Sequence, residues 1–157
     1  TNNFVNRTGV RTFEAAAFLR RCGADITLVR KMFRDDMESY RAKAEIISSA
    51  KVYREKFAIA RGENLHIESP TIIGAQAANE LLDINEIKAS FVLTEYNGRI
   101  YISARSIDEV NVQIIMERLG GGGHMNASGA QFNHTDMDEA VACLTQVIDE
   151  MIEGGDI

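Results

Sequence analysis

The sequence predicts an α/β fold, a mixed β-sheet with helices packed mainly on one face, preceded by a helical segment and a long connecting helix. Three observations carry this expectation. From Phe57 onward, extended and helical patterns alternate in the order strand, helix, hairpin, helix, strand, helix. Before Phe57 only helical spacing is found. A chain of 157 residues with 45% hydrophobic content is also large enough to bury a substantial core. The expected organisation is a helical part over 1–55, including the connecting helix, and a sheet domain over 56–157.

The helical part begins with a turn and then a helix for which Thr12 is a candidate N-cap, with Phe13, Ala16, Ala17 and Leu19 or Arg20 following at helical spacing. Gly23 suits its C-terminal turn, and Asp25 caps a short second helix carrying Ile26, Val29 and Phe33. Asp35 or Asp36 starts a long helix to about Glu55, with a stripe of Met37, Tyr40, Ala44 and Ile47. Phe57–Ala60 then reads as a strand ending at Gly62. Pro70 suits the first turn of a helix to Leu82 that places Ile72, Ala75, Ala78 and Leu82 on one face.

Lys88–Tyr96 and Arg99–Ile107 are extended runs separated by Asn97-Gly98, a dipeptide that tolerates the positive φ of a tight hairpin turn. A two-residue turn pairs Tyr96 with Arg99 and fixes the register. Ala89, Phe91 and Leu93 then share the core face with Ile100, Ile102 and Ala104. The other face carries Ser90, Val92, Thr94 and Tyr96 beside Arg99, Tyr101, Ser103 and Arg105, and is expected to stay open to a ligand or a facing domain. Val112, Ile115, Met116 and Leu119 mark the next helix. Ala127–Asn133 reads as a strand, and Asp136 or Asp138 starts a last helix through Val141, Leu144, Ile148, Met151 and Ile152 to Gly154-Gly155.

Charge and cysteine content narrow the function. With 17 basic and 23 acidic residues the net charge is −6, which argues against holding a long nucleic acid through many phosphate contacts. A small anion held by a few placed groups is compatible with it. Cys22 and Cys143 fit no metal or redox spacing and read as buried free thiols in a reducing compartment. No apolar run reaches the ~18 residues of a membrane span. His66, His124 and His134 show no metal-ligand spacing, and no nucleophile elbow or phosphate-binding Walker loop is present. His66 and His134 read as surface or strand residues.

The run Gly120-Gly121-Gly122-Gly123-His124-Met125-Asn126-Ala127-Ser128-Gly129 stands out, because each glycine costs backbone entropy on folding. It could turn several N–H groups toward one point and form an anion site to which His124 adds a donor. It could equally be a helix C-cap with an incidental histidine. Ser103, Arg105 and Ser106 lie just before the helix that ends at this run.

These residues resemble a known family. GGGGHMNASG at Gly120–Gly129 resembles the glycine-histidine signature of the DHH-associated domain, the C-terminal partner of the catalytic domain in DHH phosphoesterases. The strand Tyr101–Ser106 is similar to that domain's second signature, and Ile72–Leu82 to its first helix. The opening Phe4–Ala16 resembles the last motif region of a DHH domain, in a form most like the cyclic-di-AMP phosphodiesterases of the GdpP type. The resemblance implies a phosphodiesterase that uses two metal ions, usually Mn²⁺, held by Asp and His residues of the DHH domain. The last of those ligands would fall just before Thr1. The chain, which opens on Thr1 rather than Met, is therefore expected to be a piece holding substrate but no metal ligand and no catalytic residue, and inactive alone.

By the same resemblance, Gly121, Gly122, Gly123 and His124 would grip a phosphate or a base edge. Arg105 would give phosphate a fork of donors, with Ser103 and Ser106 beside it. Asn126 and Ser128 would reach a base or ribose, or cap the strand. Arg7, Thr8 and Arg11 are weaker candidates, and Arg7 or Arg11 could instead pair with a carboxylate. The implied partners are a cyclic or short linear dinucleotide, the upstream DHH domain and, where the protein self-associates, a second copy in a homodimer. The expected piece is soluble on the cytoplasmic side, its parent anchored in the membrane by upstream segments. Two alternatives are the substrate-holding part of an oligoribonuclease or RecJ-like exonuclease, and a non-catalytic RNA-binding module like the C-terminal domain of alanyl-tRNA synthetases.

Overall fold

The computed structural model describes residues 8–107 and 109–157. The chain divides into two compact units, one ending at Asp36 and one running from Met37 to Ile157. In the first, α1 (Val10–Arg21) and α2 (Ile26–Met32) bury no residue and leave Phe13, Phe18, Leu19, Ile26, Met32 and Phe33 exposed. Gly9, not Thr12, occupies the N-cap of α1. Asp25 caps α2 as expected, its carboxylate accepting from Thr27 N and Leu28 N. The cysteines are free but not buried: Cys22 is exposed and Cys143 half-buried.

The second unit is built on one sheet of six strands in the order β1-β2-β3-β4-β6-β5. The strands are β1 (Lys51–Tyr53), β2 (Phe57–Gly62), β3 (Ala89–Tyr96), β4 (Arg99–Ser106), β5 (Gly122–His124) and β6 (Ala127–Asn133). β2 and β3 are parallel and every other pair is antiparallel, so the sheet is mixed as expected. The helices are α3 (Met37–Ser48), α4 (Pro70–Leu81), α5 (Val112–Arg118) and α6 (Met137–Gly154).

The helices lie on both faces rather than mainly on one. Phe57, Phe91, Leu93, Ile100 and Ile102 pack with Val112, Ile115 and Met116 of α5 and with Leu144, Ile148 and Met151 of α6. On the reverse face Ala58, Ala60 and Val92 pack with Ala42 and Ile46 of α3 and Ile73, Ala77 and Leu81 of α4. The β3–β4 register is the one a two-residue turn dictates, Tyr96 opposite Arg99 through Ala89 opposite Ser106. The expectation that the whole reverse face of this hairpin is open holds for β4 and for Tyr96 at the end of β3. On β3, Ser90, Val92 and Thr94 are buried, because α4 lies over them.

Two helical expectations are corrected, each for a packing reason. On α4 the buried positions are Pro70, Ile73, Gly74, Ala77, Ala78 and Leu81, while Ile72 is exposed. A Cβ on Gly74 would lie 2.7 Å from Thr94 Cγ2, so the helix turns its small residues to the sheet to come this close. α3 stops at Ser48 instead of reaching Glu55, and buries Ala42 and Ile46 rather than the Met37–Tyr40 stripe. Ser48 and Ser49 bond back to the carbonyls of Ala44 and Ile46, and the Ser49 hydroxyl also exchanges hydrogen bonds with Arg61 N and O, which draws the chain off into β1. Of the two starts expected for α6, Asp136 is the one found: it is the N-cap and accepts from Glu139 N, with Asp138 inside the first turn.

The β1 edge is tied to α6 by Asp149, whose carboxylate accepts from Tyr53 Oη at 2.7 and 2.8 Å and from Arg54 Nε at 2.9 Å. These bonds, that from Arg54 first, hold the Asp149 carboxyl below its ordinary 3.8. A depressed native pKa gives stability that is present above the unfolded value and lost as pH falls through the native one. Asp149→Asn is therefore expected to lower the melting temperature at pH 7, with a difference from the parent that shrinks as pH falls below the ordinary carboxylate value, as a calorimetric pH series would show.

The glycine run is resolved into two parts. Gly120 (φ +79°) ends α5: its N–H bonds Glu117 O and that of Gly121 bonds Met116 O, the paired bonds of a Schellman cap. β5 then begins. A Cβ on Gly121 would stand 2.1 Å from Gly129 O, whereas one on Gly122 meets nothing within 4 Å. Urea unfolding should accordingly show Gly121→Ala destabilised by about 1–3 kcal/mol, with Gly122→Ala within about 0.5 kcal/mol of the parent.

Candidate functional site

Alternation places the candidate residues on definite sides of the sheet. Arg105 faces the side left open beyond α4. It stands opposite Ala127 of β6, and Ala127 stands opposite His124 of β5, so one row across the sheet reads Arg105, Ala127, His124. Two strand spacings separate Arg105 from His124, about 10 Å. The next row reads Ser103, Gly129, Gly122, and the one after it pairs Tyr101 with Gln131. The centre of this surface has almost no side chains, only a methyl at Ala127 and bare backbone at Gly129 and Gly122. Gly129 is required by contact, since a Cβ there would lie 2.8 Å from Ile102 O.

The surface is charged in one sense. Its strand residues include Arg99, Arg105 and His124 and no Asp or Glu, although the chain as a whole carries net −6. Arg105 is half-buried, and burial lowers its pKa from the ordinary value. Its one hydrogen bond goes to the adjacent Ala104 O at 2.8 Å. Arg54, Arg61 and Arg118 each have a carboxylate partner, but among the described residues Arg105 has none. A partly desolvated guanidinium without a counter-charge is what an anion site needs before its ligand arrives.

Not every candidate lies on this surface. Ser106 and Ser128 point to the opposite side and are buried. Ser106 Oγ donates to Met125 O, Ser106 N to Asn126 O, and Asn126 Nδ2 to Ser106 O. Ser128 Oγ donates to His124 O at 2.5 Å, and Val112 N bonds Met125 O. These bonds fasten the Met125-Asn126 turn between β4 and α5 and hold His124 at the sheet edge. Gly121 has spent its N–H on the α5 cap, so the anion nest expected from converging glycine N–H groups is not formed. Gly122 and Gly123 instead extend an edge strand, which leaves alternate backbone groups facing outward. Gly123 has φ +147°, and a Cβ on it would stand 2.6 Å from Ser128 Cα, so this strand accepts only glycine there.

Arg7 lies outside the described residues, and Thr8 and the exposed Arg11 lie in the first unit. His66 lines a cavity of about 240 Å³ with Asn64, Pro70 and Tyr96, and His134 is exposed. A second cavity of about 450 Å³ is lined by Arg61, Glu63, Glu95 and Asp138, on the side occupied by α6. Among the described residues no group of three or more His, Cys, Asp or Glu could hold a metal ion, so the residues present do not fit Mn²⁺. No described helix is long and apolar enough to cross a membrane. The sequence reading passed over Gln131 and Gly129 as members of the surface. Carrying the strand alternation across from β4 to β6 is the signal that finds them.

Arg105 is then expected to contribute little to folding. Arg105→Met should leave unfolding free energy in urea within about 1 kcal/mol of the parent, and a loss above about 2 kcal/mol would assign the side chain to the fold rather than to a ligand.

The chain is similar to known proteins. The family model described as the DHHA1 domain matches residues 56–150. The cyclic-di-AMP phosphodiesterase GdpP of Geobacillus thermodenitrificans is 42% identical over 156 residues, 99% of this chain and 24% of its own length. The cyclic-di-AMP phosphodiesterase PdeA of Listeria monocytogenes is 40% identical over 98% of this chain and 23% of its own. The chain thus spans about a quarter of the length of these curated relatives. Among solved structures, an exopolyphosphatase-related protein from Bacteroides fragilis superposes with a TM-score of 0.81 at 24% identity, covering 91% of this chain and 44% of that one.

Proposed function

The chain belongs to the DHHA1 domain family, and on that premise we propose that the open β4–β6–β5 face is the substrate-holding surface of a phosphodiesterase acting on a cyclic dinucleotide, cyclic-di-AMP. The single observation that carries this reading is Arg105, half-buried, without a carboxylate partner among the described residues, on a sheet face that has basic side chains and no acidic ones. The named activity of relatives 40–42% identical to this chain supports the substrate class.

In this reading Arg105 presents two parallel N–H donors to a phosphate, and His124 binds from the far side of the row. Ser103 and the outward-facing backbone N–H of the Gly122–Gly123 edge segment supply further donors. Ser106, Asn126 and Ser128 act as positioning residues, through the bonds that fix the Met125-Asn126 turn. The bare floor at Ala127, Gly129 and Gly122 lets a flat or cyclic ligand lie close to the sheet. Bond cleavage belongs to a metal-bearing DHH domain of the same protein, so the chain binds and orients and does not cut. Arg11 and Thr8 would lie toward that domain, and the exposed apolar residues of α1 and α2 suit packing against it.

A charge-assisted hydrogen bond contributes about 1.5–3 kcal/mol, and its loss corresponds to about tenfold to a hundredfold in affinity. Arg105→Ala in the full-length protein should raise KM for cyclic-di-AMP by that factor, and His124→Ala should raise KM or lower kcat. Unchanged kinetics in Arg105→Ala would sink the reading.

A further inference from the structure

We propose that Tyr101 and Gln131 form a nucleobase subsite on the open face, the Tyr101 ring stacking on a base whose edge is read by the Gln131 amide. The inference rests on the phosphate site at Arg105 and deepens it by locating the base.

Tyr101 and Gln131 are directly opposed on β4 and β6, so their side chains rise next to each other from the same face. Tyr101 is half-buried and Gln131 exposed. Neither Tyr101 Oη nor the Gln131 amide has a hydrogen-bond partner among the described residues. The Tyr101 ring is steadied by Tyr96, with centroids 6.5 Å apart and planes inclined at 52°. An aromatic ring held by a neighbour loses little freedom when a ligand stacks on it. On its β3 side, Tyr101 is paired with Thr94, which is buried beneath α4 where Gly74 makes its close approach, so the helix bounds the subsite there.

Order along the face gives the assignment to a base. Arg105 and Tyr101 are four residues apart on one strand, about 13 Å between Cα atoms. Between them lies only the row Ser103, Gly129, Gly122, two of whose three members have no side chain. The Arg105 guanidinium folds back onto the preceding peptide, where it donates to Ala104 O. The surface therefore reads anion donor, bare floor, ring with amide. A nucleotide carries phosphate, sugar and base in that sequence. A glutamine amide offers one donor and one acceptor side by side, the pattern that matches the N6 and N7 edge of adenine, while guanine presents two acceptors there.

The test uses the full-length protein with three ligands: cyclic-di-AMP and cyclic-di-GMP as substrates, and an abasic dinucleotide as competitor. Tyr101→Ala should raise KM for both substrates about fivefold to a hundredfold with kcat little changed, and leave the inhibition constant of the abasic competitor unaltered. Tyr101→Phe should restore the parent KM. Gln131→Leu, at an exposed position where folding is not at stake, should reduce the preference for adenine over guanine at least about fivefold. An unchanged KM in Tyr101→Ala, an equal loss of the abasic competitor, or an unchanged base preference in Gln131→Leu would each overturn the subsite. Arg105→Ala should weaken all three ligands. If it does while the Tyr101 and Gln131 variants are silent, the phosphate site stands and only the base assignment falls. If Arg105→Ala is silent as well, the underlying reading of the face fails too.

Discussion

The contact on which this site depends is the approach of the chain at Gly121 to the backbone of β6. A Cβ at that position would stand 2.1 Å from Gly129 O, so no other residue lets the chain pass there unmoved. The Schellman bonds from Gly120 and Gly121 end α5 at the point where the chain must turn, and β5 then runs antiparallel to β6 as far as His124. Without that passage there is no sixth strand and His124 is not brought into the Arg105 row. The glycines thus serve by bringing backbones together. In the proposed site the main anion contacts come from side chains on neighbouring strands.

A second constraint explains why the face is open. α4 approaches β3 closely because Gly74 and the alanines Ala77 and Ala78 face the sheet, and it covers Ser90, Val92 and Thr94. α3 covers β2 beside it, while α5 and α6 occupy the reverse side. That leaves β4, β6 and β5 uncovered on the α4 side. Polar and basic side chains collect there, whereas Glu95 lies on the other side of β3 and Asp136 and Asp138 begin α6. An acidic chain can in this way present one surface suited to anions, because local composition and not net charge governs a ligand at contact distance.

Much of this was legible in the sequence. Asn97-Gly98 fixed the turn, the turn fixed the register, and the register assigned Phe91, Leu93, Ile100 and Ile102 to the core and Ser103 and Arg105 to the other face. The final strand and helix were equally plain, because their alternation and apolar spacing have no competing reading. β5 was not legible. Its residues Gly122, Gly123 and His124 have no strand propensity, and only the β6 backbone beside them makes them extended. The end of α3 was hidden for a similar reason, since Ser49 finds its partner in Arg61, twelve residues on. Ser106 and Ser128 read as ligand donors because sequence proximity to Arg105 and His124 does not reveal which face a side chain takes.

The central claim is that a nucleotide lies on the open face across β4, β6 and β5. Amide hydrogen exchange of the full-length protein, compared with and without cyclic-di-AMP in the absence of divalent metal, addresses it most directly. The account predicts slower exchange in segments covering 101–107 and 122–131, with α6 unaffected. Protection confined to α6 or to the cavity lined by Arg61 and Asp138, with 122–131 unchanged, would contradict it.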